Sequence, residues 1–238
     1  MASSVKKAFF IDAGYTVKKG KTYITLILKG KKTVKRYYQY DPYFLVEAPP
    51  DKTEILMSVR TRDKRGFEIA PLRVEETERK VCLSKKKMLK LFCREPSHVP
   101  IIQAQIPFPC HEHNIAFAKR FIYDMGLIPL GIIRFERQGR IIKRIISCEP
   151  GEPKLDEMSF DIETYNQAGA PREDKDPAIM ISYQGKGKGV ITYKDSANKD
   201  VERVADEKAM LERFSEIVKA EDPDILVGYN SSQFDLPY

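Results

Sequence analysis

The sequence predicts an α/β protein of the α+β kind in two parts: a β-rich first part, then a mixed sheet flanked by helices. Three observations predict this class. Short β-branched and aromatic runs dominate the first half, a run of helical periodicity lies among strands in the last third, and the net charge changes sign near residue 150. With 42% apolar and 32% charged residues, the 238-residue chain has the balance of a soluble globular protein.

Apolar or aromatic runs separated by turn signals predict the strands of the first part. These runs are residues 9–11, 23–28, 35–40, 43–46, 55–60 and 88–93. Asp12-Ala13-Gly14, Lys18-Lys19-Gly20 and Gly30-Lys31 are the turn signals between the first runs, and Pro49-Pro50 interrupts the series. The order predicts an antiparallel meander.

A proline-rich stretch separates these strands from a helix. Pro96, Pro100, Pro107 and Pro109 leave room for one short helix at most, within residues 99–106. Residues 116–125 have the apolar spacing of a helix that ends at Gly126. Residues 139–146 then read as one arm of a hairpin.

The segment Glu149-Pro150-Gly151-Glu152-Pro153 is the best linker in the chain, which predicts domains at 1–150 and 151–238. Beyond it, residues 155–162, 178–183, 189–193 and 225–229 predict strands. Residues 206–220 predict a helix because their apolar side chains recur at helical spacing. This β-β-β-α-β order fits a mixed sheet flanked by helices.

Charge is divided unevenly between the two parts. Residues 1–150 carry 30 Lys and Arg against 15 Asp and Glu, a balance of +15, whereas residues 151–238 carry 11 against 19, a balance of −8. A polyanion-binding module followed by a metal-dependent catalytic module would show this division, and so would a basic surface that is merely solvated. Tyrosines interleave the basic residues in Arg36-Tyr37-Tyr38-Gln39-Tyr40, as in surfaces that track phosphates and stack bases.

Several classes of protein are excluded or disfavoured. No apolar run approaches the ~20 residues of a spanning helix, and the N-terminus lacks the features of a secretory signal, so we expect an intracellular protein. Cys82, Cys93, Cys110 and Cys148 contain no C-x-x-C pair, which favours reduced thiols. Cys110, His111 and His113 lie close in sequence, but their spacing is not a standard zinc motif.

Two acidic clusters about 70 residues apart carry most of the functional information. Asp161 and Glu163 are two residues apart on a predicted strand and therefore face the same side, while Asp235 follows the last strand. The three carboxylates could converge at one sheet edge. Hard oxygen ligands suit Mg²⁺ or Mn²⁺, and two such ions roughly 3.5 to 4 Å apart serve in phosphodiester hydrolysis. An isolated acid of this kind is more often a capping or turn residue.

These motifs resemble those of the family B DNA polymerases, most closely the archaeal members. Phe160-Asp161-Ile162-Glu163-Thr164 resembles the first exonuclease motif, and Tyr229-Asn230 through Phe234-Asp235 resembles the second. Other stretches resemble family segments in the expected order: Phe117-Ala118-Lys119-Arg120-Phe121, Gly126-Leu127-Ile128-Pro129, Met180-Ile181-Ser182-Tyr183 and Asp222-Pro223-Asp224-Ile225. The resemblance covers nearly the whole chain.

The resemblance implies a template-binding N-terminal domain at 1–150 and part of an RNase H-like 3′-to-5′ proofreading domain at 151–238. Asp161 and Glu163 would hold the metal ion that activates the attacking water, and Asp161 and Asp235 would share a second ion. Asn230 and Phe234 would position the primer 3′ end. Lys119 and Arg120 are candidates to contact the DNA backbone.

Archaeal members of the family also capture uracil from the template in a small pocket. The matching positions in this chain are Tyr15, Pro42, Pro96, Val99, Ile115 and Phe117. Three positions depart from the family pattern: Ala116 replaces a usual proline, His98 a usual acidic residue and Gln103 a usual arginine. The same prolines and aromatic residues could instead only build loops and core.

The resemblance also implies parts beyond Tyr238, namely a third exonuclease motif with a fourth carboxylate and the domains that synthesise DNA. We therefore expect this chain alone to be inactive in synthesis and in proofreading. It is either a polymerase fragment that acts with the remainder of the enzyme, or a non-catalytic single-stranded DNA-binding module from a truncated polymerase. Expected partners are the single-stranded template, the primer 3′ end, the remainder of the polymerase and a sliding clamp, with no membrane. The expected location is the cytoplasm, in association with the nucleoid.

Overall fold

The computed structural model describes residues 5–81, 84–166 and 169–238, so Cys82 lies outside the described residues. The chain separates into two compact units, Met1–Pro153 and Lys154–Tyr238. The division falls three residues after the boundary placed at 150/151 from the sequence. The α/β class with mixed sheets is confirmed.

Strands make up most of the first unit. They are β1 Lys6–Lys18, β2 Lys21–Lys29, β3 Thr33–Gln39, β4 Tyr43–Val46, β5 Thr61–Arg62, β6 Glu68–Ile69, β7 Arg73–Val81, β8 Ser84–Phe92, β9 Cys110–His111, β10 Ile132–Gln138 and β11 Ile141–Glu149. Its helices are α1 Thr53–Ser58, α2 His98–Gln103 and α3 Phe117–Asp124, with a 3-10 turn at Pro50–Lys52.

Five strands close into a barrel in the order β1-β10-β11-β3-β2. Alternate residues of β2 point inward, so that Thr22, Ile24, Leu26 and Leu28 have no exposed surface. Phe121 of α3 joins this apolar core. The predicted antiparallel meander is confirmed for β1, β2 and β3, which pair in sequence order. It does not continue to β4, which pairs with β8 in another sheet, and β10 and β11 return late in the chain to close the barrel, where β11 pairs with β3 in parallel.

The first strand is longer than the sequence predicts. The turn predicted at Asp12-Ala13-Gly14 is instead a β-bulge between Phe10 and Asp12, after which β1 continues paired with β2 as far as Lys18. A bulge accommodates one extra residue without ending the strand. The consequence is that Tyr15 lies on a strand of the barrel.

A second sheet, in the order β7-β8-β4-β9, packs its apolar face against helices. The strand predicted at 55–60 is wrong, since α1 occupies this stretch. In α1 only Leu56 is fully buried, whereas the neighbouring Ile55 is 47% exposed. Short apolar runs of this kind do not distinguish strands from helices.

The second unit contains β12 Glu157–Thr164, β13 Ala178–Gln184, β14 Lys188–Thr192, β15 Val201–Arg203, α4 Glu207–Glu221 and β16 Ile225–Val227. The strand order is β15-β14-β13-β12-β16. β12 and β13, and β13 and β14, pair antiparallel, whereas β16 pairs in parallel with β12 and β15 in parallel with β14. The short β15 was not predicted.

Helix α4 covers one face of this sheet. Its Met210 and Ile217 pack with Met158, Ile181 and Ile191 of the strands in one apolar core. Asp206 caps the helix, accepting a hydrogen bond from the backbone N–H of Ala209 at 2.8 Å. The opposite face of β12 therefore carries its polar side chains.

None of the helices within residues 5–81, 84–166 and 169–238 is both long and apolar enough to cross a membrane.

Candidate functional site

The acidic pair of the second unit lies on the exposed face of β12. Met158 and Phe160 of this strand are buried, while Asp161 and Glu163 are exposed, as the two-residue periodicity of a strand requires. Asp161 is opposite Ser182 of β13 in the register of the sheet. The prediction that Asp161 and Glu163 share one face is confirmed by this pattern of exposure.

Asp235 is carried to β12 by the loop that follows β16. In this loop Asn230 has a left-handed backbone (φ +57°), and its carbonyl accepts hydrogen bonds from the N–H groups of Gln233 (2.9 Å) and Phe234 (3.1 Å). Asparagine adopts this conformation more readily than most residues. The resulting turns bring the chain back toward the strand.

Gly228 allows the loop to approach β12 closely. A Cβ atom at this position would lie 2.7 Å from the Cβ of Ser231 and 3.1 Å from the backbone oxygen of Phe160. Real Cβ atoms almost never come this close to a neighbouring carbon. The start of the loop is therefore packed directly against the residue that precedes Asp161.

The Asp235 carboxylate meets β12 between the two other acids. Its Oδ1 accepts a hydrogen bond from the backbone N–H of Ile162 at 3.4 Å. β16 pairs with β12 only at Glu157, Met158 and Ser159. At Ile162, beyond this pairing, the edge of β12 is bound by Asp235 instead. The other oxygen, Oδ2, is buried and has no hydrogen-bond partner, in a side chain of a residue that is 8% exposed.

The expected convergence of the three carboxylates is only partly realised. Among the residues that the structure describes, no three Asp, Glu, His or Cys side chains are grouped closely enough to hold a metal ion. Asp235 is directed by its backbone hydrogen bond to the strand edge, whereas Asp161 and Glu163 project from the exposed face. The expected ligand set is therefore not preassembled.

A groove of about 1140 Å³ runs across the open face of this sheet beside Asp161. Polar side chains from β12 and β13 and residues of β16 and the following loop line it, among them Ser159, Ser182, Gln184, Val227 and Tyr229. Tyr229, which lies two residues after the end of β16, is 94% exposed. The groove offers a mixed polar and apolar surface next to a carboxylate.

The two residues expected to position a primer end have different surroundings. Asn230 is exposed at the turn described above. The ring of Phe234 is half-buried against that of Tyr238, with centroids 5.3 Å apart. The Tyr238 hydroxyl in turn donates to the backbone oxygen of Asp176. Neither residue is among those that line the groove.

In the first unit, residues expected to form a uracil pocket surround one small cavity. Five of the six predicted positions, Pro42, Pro96, Val99, Ile115 and Phe117, line a cavity of about 190 Å³. Its lining also includes Tyr43, His113, Asn114, Ala116 and Arg120. Residues from three separate stretches of the chain, 42–43, 96–99 and 113–120, thus meet here. A space of this size exceeds the ~30 Å³ share of one water several times.

Tyr15, the sixth predicted position, borders this group without lining the cavity. Its ring meets that of Phe117 edge-on, with centroids 5.5 Å apart, and is 52% exposed. Tyr40 stacks on the same phenylalanine at 5.7 Å. The Phe117 side chain is therefore held between two tyrosines.

Arg120 is not a surface residue, contrary to its expected contact with the DNA backbone. It is 6% exposed, and its Nη2 lies 2.6 Å from Glu112 Oε2. The Arg120 guanidinium and the Glu112 carboxylate therefore form an ion pair, although these two atoms do not have the geometry of a hydrogen bond. Arg120 also lies 3.8 Å from Asp124 one helical turn later. Lys119, by contrast, is exposed.

Asp124 connects this ion pair to two tyrosines that sequence reasoning did not place in the site. Its Oδ2 accepts hydrogen bonds from the hydroxyls of Tyr40 and, at 2.7 Å, Tyr43. Burial, followed by the hydrogen bond to Asp124, raises the pKa of Tyr43 to about 12 and raises the pKa of Tyr40 further. The group of tyrosines that follows Arg36 in the sequence could have indicated Tyr40 as a site residue.

Of the three positions that depart from the family pattern, two line different cavities, and Gln103 lines neither of these. Ala116 lines the cavity beside Phe117, but His98 lines a different one together with Arg94 and Glu95. His98 is 6% exposed, its Nδ1 has no partner, and burial lowers its pKa. His98 therefore does not contribute to the cavity beside Phe117.

Cys110, His111 and His113 do not form a metal site within the described residues. Cys110 donates to the backbone oxygen of Phe108 at 3.4 Å, and burial raises its pKa. His111 instead pairs with Glu47, with Nε2 and Oε2 3.2 Å apart. Cys110 and His111 form the short strand β9, and His113 lines the cavity beside Phe117.

Comparison with known proteins places this architecture in a family. A family model described as the exonuclease domain of family B DNA polymerases matches residues 109–238. Curated DNA polymerases from Thermococcus kodakarensis and Desulfurococcus are each 30% identical over 236 residues, which is 96% of this chain. A DNA polymerase from Methanocaldococcus jannaschii is 29% identical over 98% of the chain.

The chain is much shorter than these relatives, spanning 13%, 28% and 14% of their lengths respectively. A solved structure of the family B DNA polymerase from Pyrobaculum calidifontis has the same fold, with a TM-score of 0.75 at 24% identity. The alignment covers 98% of this chain and 31% of that one. Since the family model matches more than half of the residues, this chain belongs to the family B DNA polymerases of archaeal type and includes their exonuclease-domain region.

Proposed function

We propose that this chain works as part of a DNA-directed DNA polymerase, in which the second unit contributes to 3′-to-5′ proofreading and the first unit binds the single-stranded template. The observation that carries the proofreading role is the Asp235 carboxylate, which reaches the backbone of Ile162 between Asp161 and Glu163. The family match over residues 109–238 supports the same role.

The donor chemistry of the site fits a divalent metal ion. Asp161, Glu163 and Asp235 offer the hard oxygen atoms that Mg²⁺ and Mn²⁺ prefer, and the Asp235 Oδ2 is a buried acceptor without a partner. A carboxylate oxygen in that position is costly unless a cation or a donor satisfies it. When bound, such an ion would supply charge stabilisation and an activated water for phosphodiester hydrolysis.

The remaining residues of the site bind and orient the strand. The groove beside Asp161 accommodates a nucleotide chain, and the exposed Tyr229 offers a stacking surface at its border. Asn230 presents an amide at the turn, and Phe234 is held in place by Tyr238. Neither Asn230 nor Phe234 lines the groove, so in this proposal they position the 3′ end from the loop that carries Asp235.

The isolated chain has little exonuclease activity in this proposal, because no three acidic side chains within its described parts are preassembled around a metal site. The test measures Mn²⁺ binding by electron paramagnetic resonance and digestion of a 3′-labelled oligonucleotide. We expect weak Mn²⁺ binding that Asp161→Asn and Asp235→Asn reduce, while Asp195→Asn, an exposed acid elsewhere in the unit, does not. Robust digestion that depends on Asp161 would contradict the low activity, and Mn²⁺ binding unchanged by either substitution would contradict the metal site.

For the first unit, the cavity beside Phe117 is the proposed site for a uracil base. Its volume of about 190 Å³, its apolar walls and the buried Arg120 beside it suit a small planar base with polar edges. Ala116 lies in the lining, whereas His98 faces another cavity, so the departures from the family pattern leave most of the lining intact.

Anisotropy titrations with matched thymine and uracil oligonucleotides test this proposal. We expect tighter binding to the uracil strand, and we expect Ile115→Phe to abolish the preference by filling the cavity without weakening thymine binding. Ile128→Phe is the matched control, since this residue is 39% exposed and does not line the cavity. Equal affinities of the unmodified protein for both strands would refute uracil capture.

A second candidate function is a single-stranded DNA-binding module without catalysis. It is favoured by the balance of +15 over residues 1–150 and by the absence of a preassembled metal cluster from the parts of the chain that the structure describes. Binding of single-stranded DNA that is unaffected by Mn²⁺ and by Asp161→Asn would support it over proofreading.

The partners follow from the same proposal. The remainder of a polymerase, the primer 3′ end and a sliding clamp would act with this chain in the cytoplasm, in association with the nucleoid. Co-purification of the chain with the other polymerase parts tests the first of these partnerships.

A further inference from the structure

A further concave site lies on the barrel of the first unit, apart from the groove and the two cavities described above. Its volume is about 540 Å³, within the range of ligand-binding clefts. We call it the hairpin pocket, and it is lined by Lys18, Lys19, Lys21, Tyr23, Tyr37, Arg140 and Ile141. These residues come from the β1–β2 hairpin, from β3 and from the start of β11.

The backbone of the barrel brings these segments together. Lys18 pairs with Lys21 across the hairpin, whose turn residue Gly20 has φ +68°. Tyr37 pairs with Ile141 in the parallel ladder, and its N–H donates to the oxygen of Arg140 at 3.0 Å. The cluster of cations is therefore built on the barrel rather than on a long loop.

Positive charge accumulates here without compensation. Within the described residues, none of Lys18, Lys19, Lys21 or Arg140 forms an ion pair with a carboxylate, in contrast to Arg73 and Arg120 elsewhere in the unit. Burial and then the nearby Arg137 and Arg140 lower the pKa of Arg36, as expected where cations crowd together. Such a concentration of like charge favours an anionic ligand.

Aromatic rings accompany the cations. The Lys18 ammonium lies 4.9 Å from the centre of the Tyr37 ring, and Tyr23 lines the same pocket. Both tyrosines are half-buried, which fixes their rings while leaving one side accessible. Cations beside fixed aromatic faces are the combination that binds a phosphate and the base attached to it.

We propose that the hairpin pocket binds single-stranded polynucleotide, with backbone phosphates on Lys18, Lys21 and Arg140 and an unpaired base against Tyr37 or Tyr23. The chemistry recognises a phosphodiester next to an exposed base, which single-stranded DNA and RNA share. The inference rests on the proposed binding of single strands by the first unit, and it assigns that binding a specific place.

The hairpin pocket and the cavity beside Phe117 are near each other along the chain. On β1, Lys18 follows Tyr15 by three residues. Tyr37 of β3 lies three residues before Tyr40, the residue that stacks on Phe117. Three residues of strand span about 10 Å. An odd spacing directs the two side chains of each pair to opposite faces of the strand, so nearness along the chain does not make the cavity and the hairpin pocket one binding surface.

The test measures binding of labelled 12-residue oligonucleotides by anisotropy at several salt concentrations, with the full 238-residue chain. Lys18→Gln/Lys21→Gln removes two charges from the pocket. Lys31→Gln/Lys32→Gln removes two charges from the exposed turn at the other end of β2 and is the matched control. We expect the pocket variant to bind about ten-fold more weakly at low salt and its salt slope to fall by roughly 0.7 per lost phosphate contact. The control variant should change less than two-fold.

Two tyrosine variants test stacking without changing charge. Tyr37→Phe keeps the ring and should keep the affinity, whereas Tyr37→Leu should weaken binding about ten-fold. Thermal unfolding followed by circular dichroism checks that each variant is folded. Equal effects of the two substitutions would overturn the stacking contact.

Parallel titrations with DNA and with RNA oligonucleotides identify the polymer that the pocket binds. Weakening by Lys18→Gln/Lys21→Gln with both DNA and RNA assigns the shared backbone, and weakening with only one assigns that polymer. The proposal is overturned if the pocket variant binds single strands as tightly as the control variant does. It is also overturned if duplex DNA of equal length binds as tightly as single-stranded DNA and loses as much affinity in the pocket variant. Failure of the unmodified protein to bind any single strand would overturn the proposed template binding as well, whereas an altered uracil preference alone would leave the pocket untouched.

Discussion

The two oxygens of Asp235 have different surroundings, and each has a separate consequence. Oδ1 accepts the hydrogen bond from Ile162 and holds the loop to β12, while Oδ2 is buried without a partner. Oδ1 thus has a structural role, whereas Oδ2 is the oxygen that the proposed metal ion would contact. The hydrogen bond from Ile162 agrees with the interpretation of Asp235 as a turn residue, while its role as a metal ligand stays a prediction.

Asp235→Ala should accelerate hydrogen exchange at the Ile162 amide. The lost hydrogen bond contributes about 0.5–1.5 kcal/mol, which corresponds to roughly two- to ten-fold faster exchange. Exchange measured by nuclear magnetic resonance checks this. Asp235→Asn keeps an acceptor oxygen and should restore protection, while Glu163→Ala should leave it unchanged. Identical exchange in the alanine and asparagine variants would show that Oδ1 does not hold the strand edge.

The Tyr43 hydroxyl should make stability depend on pH in the alkaline range. Folding raises its pKa from 10.0 to about 12, so the folded state keeps the proton more tightly than the unfolded state does. This stabilisation is present below pH 10 and is lost as pH rises from 10 toward about 12. Urea unfolding across that window should show a smaller decline for Tyr43→Phe than for the unmodified protein. Parallel declines would contradict the assignment to Tyr43.

At the scale of elements, the link between β16 and the acidic loop depends on the absence of a side chain at Gly228. Gly228→Ala should lower the free energy of unfolding of the second unit by about 1–3 kcal/mol, because the new methyl group would meet Ser231 and the backbone at Phe160. Gly187→Ala is the control, since its nearest neighbour is the flexible Glu221 carboxylate at 3.3 Å. Urea unfolding compares the two, and equal losses would mean that the loop moves freely.

Elements whose apolar side chains recur at a regular spacing could be predicted from the sequence. Elements that depend on pairing between strands far apart in the chain could not. Helix α4 and the alternation on β12 follow from local side-chain spacing, so the positions of Asp161 and Glu163 could be derived. β10 and the bulge at Phe10 depend on strands far apart in sequence, and α1 depends on burial of Leu56 alone. Arg120 was misplaced because its partners Glu112 and Asp124 become visible only once α3 is packed.

At the scale of the whole molecule, the distribution of charge matters more for binding than its total of +7. The first 150 residues carry a balance of +15, and the remainder carries −8. A long-range attraction governed by net charge would respond equally to charge removal anywhere. Phosphate contacts on the first unit would respond only to charge removed there.

We therefore expect single-stranded DNA binding to weaken steeply with salt, with a slope of about −2 to −3.5 if three to five phosphates are contacted. Lys208→Gln/Lys219→Gln removes two charges from α4 of the second unit, and it should change neither the slope nor the affinity by more than about two-fold. Anisotropy titrations over a series of KCl concentrations measure both quantities. If this α4 variant loses as much affinity as Lys18→Gln/Lys21→Gln, net charge rather than a local surface governs the binding. A slope near zero would instead mean that phosphate contacts contribute little, and binding would then depend on the bases alone.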